Sequence, residues 1–301
     1  MIAYAKGFMK EIGFGKEATD SLLCDLEKVY NCEESKGIFE SYIKQHNQSP
    51  KLDYGQMMRD MSVVAECANI HVYSAKLLIY VCLSRSLREH YAKQGISDKI
   101  WFDSMCDLKW KLWECEAVKG IHGSFVAEWF YRFFDMTRFA LGRLQFEIEL
   151  IKDTGTVFGK PLIPGYKAIF VHIPRTLTPL TKESRVASYR QAADLFRNEF
   201  GEQEVLFACH SWLLSAEMPS LFKDGSNMQS FYKDFDIIKH EYCNKGEYPD
   251  AWRLFDMDYT GNIDDYPEDS SFRRTYKNYL KNGGGMGYGF GLFYESDIKG
   301  E

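Results

Sequence analysis

From Lys16 to Met136 apolar positions recur at helical spacing and breakers are sparse. Leu22, Leu23, Leu26 and Val29 predict a helix over residues 18–30, and Met57, Met58, Met61, Val64, Ala65 and Ala68 predict another over 54–69. Leu77, Leu78, Val81 and Leu87 carry the pattern over 72–91, and Ser97 before acidic Asp98 reads as the N-cap of a helix running to 118. Gly120 and Gly123 break the series. Phe125, Val126, Trp129, Phe130, Phe133 and Phe134 then predict a last helix over 124–136, which completes an all-α domain of five or six helices over residues 1–136.

At Arg138 the period shifts from about 3.6 towards 2. Leu141, Leu144, Phe146 and Ile148 alternate with Arg143, Gln145, Glu147 and Glu149, as in a half-buried strand. Residues 153–166 are turn-rich. Ala168-Ile-Phe-Val-His-Ile173, halted by Pro174, reads as a strand buried on both faces. A loop over 175–180 leads to a helix over 181–200 and then to a second two-faced strand over 204–214, a βαβ unit with parallel strands and a right-handed crossover. A short turn or helix is expected over 216–222 and an outer strand over 230–242. A helix over 270–282, a flexible 283–287 and a closing strand over 288–294 complete the chain. The fold class is α+β in two domains, the second (137–301) an α/β domain with a mixed sheet.

Composition narrows the function classes. The 301 residues are 45% hydrophobic, 16% aromatic and 27% charged, which excludes disorder, collagen and coiled coil. A net charge of −6, with no basic block longer than Arg273–Arg274, argues against a nucleic-acid partner. The longest apolar stretches fall well short of the roughly 20 residues of a membrane span, and residues 1–16 lack the apolar core of a signal peptide. The expected setting is the cytoplasm, with no membrane partner. Eight cysteines form no C-x-x-C pair and read as reduced, packed thiols.

Few segments carry recognisable chemistry. Asp256-Met-Asp-Tyr-Thr-Gly-Asn-Ile-Asp264 starts like a calcium-binding EF-hand loop, but Pro267 stands where the bidentate carboxylate belongs and Glu268 comes one residue late. It reads as an Asp- and Gly-rich turn, and no metal site is expected. The glycines of 283–291 precede a strand and miss the dinucleotide pattern, so they are expected to permit close approach of the last strand to a neighbour or ligand. His172 and His210 remain, polar groups in apolar strands. Alternation puts His210 and Cys209 on opposite faces. Each histidine is either a satisfied core residue or a base, and their position near the ends of adjacent parallel strands shifts the balance towards the second. His172, next to its loop, is expected to meet solvent more than His210. Arg175, Thr181, Lys182 and Ser184 lie about a helix N-terminus that suits a pyrophosphate, an ordinary capped helix being the alternative.

Phe139-Ala-Leu-Gly-Arg-Leu-Gln-Phe-Glu147, Val171-His-Ile-Pro174 with Ser188-Tyr-Arg-Gln-Ala192, Cys209-His-Ser-Trp-Leu-Leu214, Ser226-Asn227 with Phe231 and Phe235, and the Gly-rich closing strand together resemble a known family. It is a family of bacterial predicted acyltransferases with a helical N-acyltransferase N-terminal domain and a GNAT-like (acyl-CoA N-acyltransferase) C-terminal domain. The resemblance spans nearly the whole chain and is strongest over 139–214. It implies acetyl-CoA or another acyl-CoA as co-substrate and an unspecified amine as acceptor. It also implies two splayed central strands holding the pantetheine, which project onto the His172 and His210 strands. On that basis His172 would be the base, His210 a second polar group lining the cleft, and Arg175, Thr181, Lys182 and Ser184 the CoA phosphate contacts. The chain departs from the GNAT pattern in lacking R/Q-x-x-G-x-G/A before the helix, and the stretch from Asn227 to Tyr232 is too short to equate Tyr232 with the general-acid tyrosine. These departures keep open a catalytically inactive GNAT-like binding module. Thiol chemistry at Cys209 is a third reading, weakened by the lack of a flanking base.

Overall fold

The computed structural model describes residues 1–298. The chain divides into two compact units after Ala140. The first contains α1 (Ile2–Glu11), α2 (Lys16–Asn31), α3 (Glu33–Gln48), α4 (Tyr54–Ala68), α5 (Val72–Lys93), α6 (Asp98–Lys119) and the single turn α7 (Tyr131–Phe134). Local chemistry sets their ends. Asp53 caps α4 through the Gln56 N–H and Ser97 caps α6 through the Ile100 N–H. Gly120, at φ 66°, ends α6 in the left-handed conformation that glycine adopts without steric cost. The core is centred on α5, whose Leu77, Leu78, Ile79, Tyr80, Val81 and Leu83 are all fully buried. Among the described residues no single helix is long and apolar enough to cross a membrane.

One expected helix of this unit is broken. Residues 124–136 form a 3-10 turn at Ala127–Trp129 and then α7. Gly123 packs on the backbone of Tyr73, where a Cβ would come within 2.5 Å of the carbonyl carbon, and the Ser124 N–H donates to the Tyr73 carbonyl. Phe130, Phe133 and Phe134 are all buried, as the apolar spacing predicts, although the segment is not one continuous helix.

The strand on which the division falls is β1 (Arg138–Leu141). The second unit continues with β2 (Leu144–Leu150), β3 (Gly155–Val157), β4 (Lys160–Leu162), β5 (Lys167–His172), α8 (Lys182–Phe196), β6 (Leu206–Ser211), α9 (Met218–Leu221), α10 (Asn227–Tyr232), β7 (Asp236–Tyr242), α11 (Ala251–Phe255), α12 (Ser271–Lys281) and β8 (Gly287–Tyr294). The main sheet has the order β1-β2-β5-β6-β8-β7, and β3 pairs with β4 as a separate hairpin. It is mixed: β5 and β6 are parallel, while β2 with β5, β6 with β8 and β7 with β8 are antiparallel. Tyr189 of α8 packs on Phe146, Phe207 and Phe293, which fixes the helix to one face of the sheet.

Several expectations are corrected. The single half-buried strand over 138–149 is two strands joined at Gly142 and Arg143, and Gln145 and Glu147 are each 2% exposed because β2 lies inside the sheet. Residues 227–232 are helical, capped by Ser226, so the outer strand starts only at Asp236. The strand over 204–214 stops at Ser211, whose side chain caps a 3-10 turn at Trp212–Leu214. That turn presses the Leu214 carbonyl onto Gly289, where a Cβ would sit 1.8 Å from the oxygen, so the glycine there permits the close approach of β8 to a neighbour.

Candidate active site

β5 and β6 pair at Ile169 with Phe207 and at Phe170 with Ala208, and their ladder ends there. Each strand continues on its other side. β5 stays paired with β2 up to Gln145 and His172, and β6 stays paired with β8 up to Ser211 and Gly289. The two central parallel strands therefore part after Ala208, and the edges carrying Val171 and His172 face those carrying Cys209, His210 and Ser211. Backbone groups at such an edge need partners from water or a ligand.

The register also sorts the side chains by face. Gln145, Glu147, Phe170, His172, Ala208, His210 and Phe290 share one face. Phe146, Val171, Phe207, Cys209 and Phe293 share the other, which α8 covers. Both candidate histidines thus lie on the face opposite α8, one on each side of the opening. Cys209 lies on the α8 side, and burial pushes its thiol well above the ordinary range.

His172 Nε2 lies 2.7 Å from Glu147 Oε1, and the side chains are 21% and 3% exposed. A nearly buried carboxylate thus holds a solvent-touching imidazole by a short charge-assisted hydrogen bond. With the Nε2 proton given to Glu147, the basic lone pair of the neutral ring is on Nδ1. His210 is placed differently. Its ring stacks on Tyr288 with centroids 5.4 Å apart, and its Nε2 is 3.3 Å from Glu241 Oε2, both side chains being 45% exposed. The expected order of exposure is reversed: His210 is the more solvent-exposed, because β6 ends in a turn and leaves that end of the strand uncovered.

The loop after β5 is held from behind. Arg143 donates from Nε to the Thr178 carbonyl at 2.9 Å and from Nη1 to the Pro174 carbonyl at 3.0 Å, and burial lowers its guanidinium pKa to about 10. The Arg143 N–H donates to Ser188 Oγ, and at the preceding Gly142 (φ 66°) a Cβ would lie 2.6 Å from that oxygen. The Leu-Gly-Arg turn is thereby seated on α8. Arg185, fully buried, clamps Asp234 through Nε and Nη2 and also donates to the Leu180 carbonyl and Ser230 Oγ, anchoring the first turns of α8 to α10.

The proposed phosphate contacts fall into separate roles. Arg175 is ion-paired with Asp256, which Arg273 also contacts. Thr181 is the N-cap of α8, its Oγ1 accepting from the Ser184 N–H, and Ser184 Oγ donates to the Thr181 carbonyl. Lys182 is exposed and lines a cavity of about 470 Å³ with Val186, Tyr189, Lys233 and Phe293. Thr181, Lys182 and Ser184 are together at one helix end, and Arg175 is turned towards the α11 end of the unit. In the loop from Asp256 to Asp265 the carboxylates of Asp256 and Asp264 pair with Arg175, Arg273 and Lys281, and Asp265 accepts from Thr260 and Asn262.

Glu147, Arg143 and Arg185 were not singled out from sequence. Glu147 could have been found as an acidic residue in a strand whose flanking apolar positions demand burial on both faces.

A helical unit followed by a mixed sheet whose two central parallel strands part is the architecture expected of a GNAT-like acyltransferase. The chain belongs to that family in its two-domain form: residues 3–136 match the N-acyltransferase N-terminal domain and residues 139–293 the GNAT-like C-terminal domain. Among solved structures it is similar to an acyltransferase in complex with decanoyl-CoA and teicoplanin, with TM-score 0.72 and 16% identity over 96% of this chain and 87% of the other. A mutant acyltransferase in complex with octanoyl-CoA gives TM-score 0.71 at 16% identity with the same coverage. An acyltransferase in complex with decanoyl-CoA gives 0.60 at 17% identity over 96% of this chain and 98% of the other. No curated protein sequence matches the chain.

Proposed function

We propose that the second unit transfers an acyl group from acyl-CoA to an amine. The observation that carries this reading is the parting of β5 and β6 after Ala208, with His172 and its buried Glu147 beside the opening. The similar acyltransferases in complex with octanoyl-CoA and decanoyl-CoA support a thioester donor, and the opening suits its pantetheine arm. In this reading the acceptor nitrogen attacks the thioester carbonyl, and His172 Nδ1 takes the proton that the nitrogen gives up. The C–S bond then breaks, CoA leaves as the thiolate, and an amide remains. Glu147 is a positioning residue that fixes the ring and stabilises the imidazolium. His210 lines the far side of the opening. Lys182, the Thr181 and Ser184 side chains and the backbone N–H groups of the α8 N-terminus receive the phosphates, and Arg175 joins them if it exchanges Asp256 for phosphate.

A catalytically silent binding module is the second reading, favoured by the engagement of Arg175 with Asp256 and by the glycine-free loop. One experiment separates the two. Decanoyl-CoA and acetyl-CoA are each added to the protein, and the melting temperature and the release of free thiol with a panel of amines are followed. A raised melting temperature with thiol release supports the enzyme, and a raised melting temperature without release supports the module. No shift with either thioester overturns both.

A further inference from the structure

We propose that Cys32 and Cys67 of the helical unit form a redox-responsive thiol pair, in which Cys32 attacks a small-molecule disulfide and Cys67 then closes an intramolecular disulfide with it. The pair is separate from the acyl-transfer reading and does not rest on it.

The packing of two helices brings the thiols together. Cys32 is the single residue between α2 and α3, and Cys67 lies in the last turn of α4. α3 and α4 run antiparallel, joined by Ser35 Oγ, which donates to the Val64 carbonyl at 3.2 Å, and by the Tyr42 hydroxyl, which donates to Asp60. Three residues back from Ser35 stands Cys32, and three residues on from Val64 stands Cys67. Positions three apart are neighbours on a helix surface, so the two cysteines repeat the Ser35–Val64 relation one turn along the pair. Serine spans the gap there with a side chain as short as that of cysteine. At the next turn each helix supplies one such side chain, which is the condition a disulfide requires.

The two thiols are also accessible and unequal. Cys67 is exposed and Cys32 partly exposed, whereas Cys82, Cys115 and Cys209 are buried. Cys32 occupies the N-cap of α3, beside backbone N–H groups that favour a thiolate. The Ser35 hydroxyl, and after it the Ser35 and Glu34 N–H groups, hold its thiol below the ordinary range. Cys67, Cys82, Cys106, Cys115, Cys209 and Cys243 are raised instead. At neutral pH Cys32 therefore carries the larger thiolate fraction of the pair and attacks first.

In that step the Cys32 thiolate bonds to one sulfur of the small disulfide, whose S–S bond breaks and releases a thiolate. Cys67 gives its proton to water and attacks Cys32 Sγ, and the mixed disulfide breaks with release of the second thiolate. Two electrons pass from the protein to the small disulfide, which leaves as two thiols. The new bond ties the corner between α2 and α3 to the end of α4.

Incubation of the full chain with oxidised glutathione, followed by alkylation and peptide mapping by mass spectrometry, tests the proposal. A peptide pair linked through Cys32 and Cys67 is expected, and dithiothreitol should reverse it. Cys67→Ser should trap glutathione on Cys32. Cys32→Ser puts a favourable N-cap in place and so preserves α3, and Cys67 in that variant should take up glutathione at least about tenfold more slowly than Cys32 does in Cys67→Ser. The proposal is overturned if no Cys32–Cys67 link forms, if Cys67→Ser leaves Cys32 unmodified, or if the two single variants react at equal rates.

Discussion

In the helical unit His46 is fully buried, with Nδ1 2.7 Å from Ser86 Oγ and Nε2 3.4 Å from the Phe134 carbonyl, and His90 Nε2 lies 2.6 Å from the His46 carbonyl. In the sheet unit His172 and His210 each face a glutamate and touch solvent. The difference lies in the partner. Burial among neutral acceptors pushes His46 down to about 4, so its ring stays neutral and serves packing. His172 and His210 meet a charged acceptor rather than neutral ones. Between the two glutamate pairs the carboxylate's exposure, 3% for Glu147 against 45% for Glu241, separates a fixed geometry from a loose surface pair.

The largest effect expected from this contrast is at His172. His172→Gln lowers kcat for thiol release from acyl-CoA by about 10²–10⁴-fold if the ring is the base. A loss below about tenfold would dissolve the contrast between the units.

The helical unit responds to acid instead. The His46 ring titrates near its ordinary 6.5 when unfolded and at about 4 when folded, so the unfolded state binds the extra proton between those values. Stability is complete above pH 6.5 and falls as the pH drops towards 4, by about 3 kcal/mol for this one group. Urea titrations of the original chain and of His46→Asn across that window measure it. The variant should lose this part of the acid dependence, and an unchanged slope would mean that His46 is not the titrating group.

How much of this was legible in the chain depends on whether a signal is local. Periodicity and caps revealed α4, α5 and α6 to within two residues at each end, because an amphipathic stripe and a capping side chain act over one or two turns. The parallel pair β5 and β6 followed from two apolar runs flanking a helix. α10 was missed because Phe231 and Phe235 alternate with polar residues closely enough to imitate a strand, and only Ser226 marks the helix start. The residues of the candidate site were half visible. His172 and His210 stood out as polar interruptions, whereas Glu147 gains its meaning from a register that pairs β2 with β5, a contact across 25 positions that no local pattern encodes. The buried Arg185 was hidden for the same reason, since Asp234 lies 49 positions away.

Two smaller effects sharpen the comparison within the sheet unit. Glu147→Gln keeps the shape of the partner and a neutral acceptor but removes the charge that stabilises the imidazolium, so kcat should fall by about tenfold. KM for acyl-CoA should stay unchanged, because Glu147 is buried behind His172; a rise in KM with kcat intact would make it a structural residue of the opening instead. His210→Ala removes a ring stacked on Tyr288 and a half-exposed ion pair, interactions worth little in water, so kcat should change by no more than about threefold. If His210→Ala matched His172→Gln, solvent screening would not be what distinguishes the two pairs. The base would then have to be assigned to the β6 side of the opening, with Glu241 rather than Glu147 as the carboxylate that orients the ring and stabilises its protonated form.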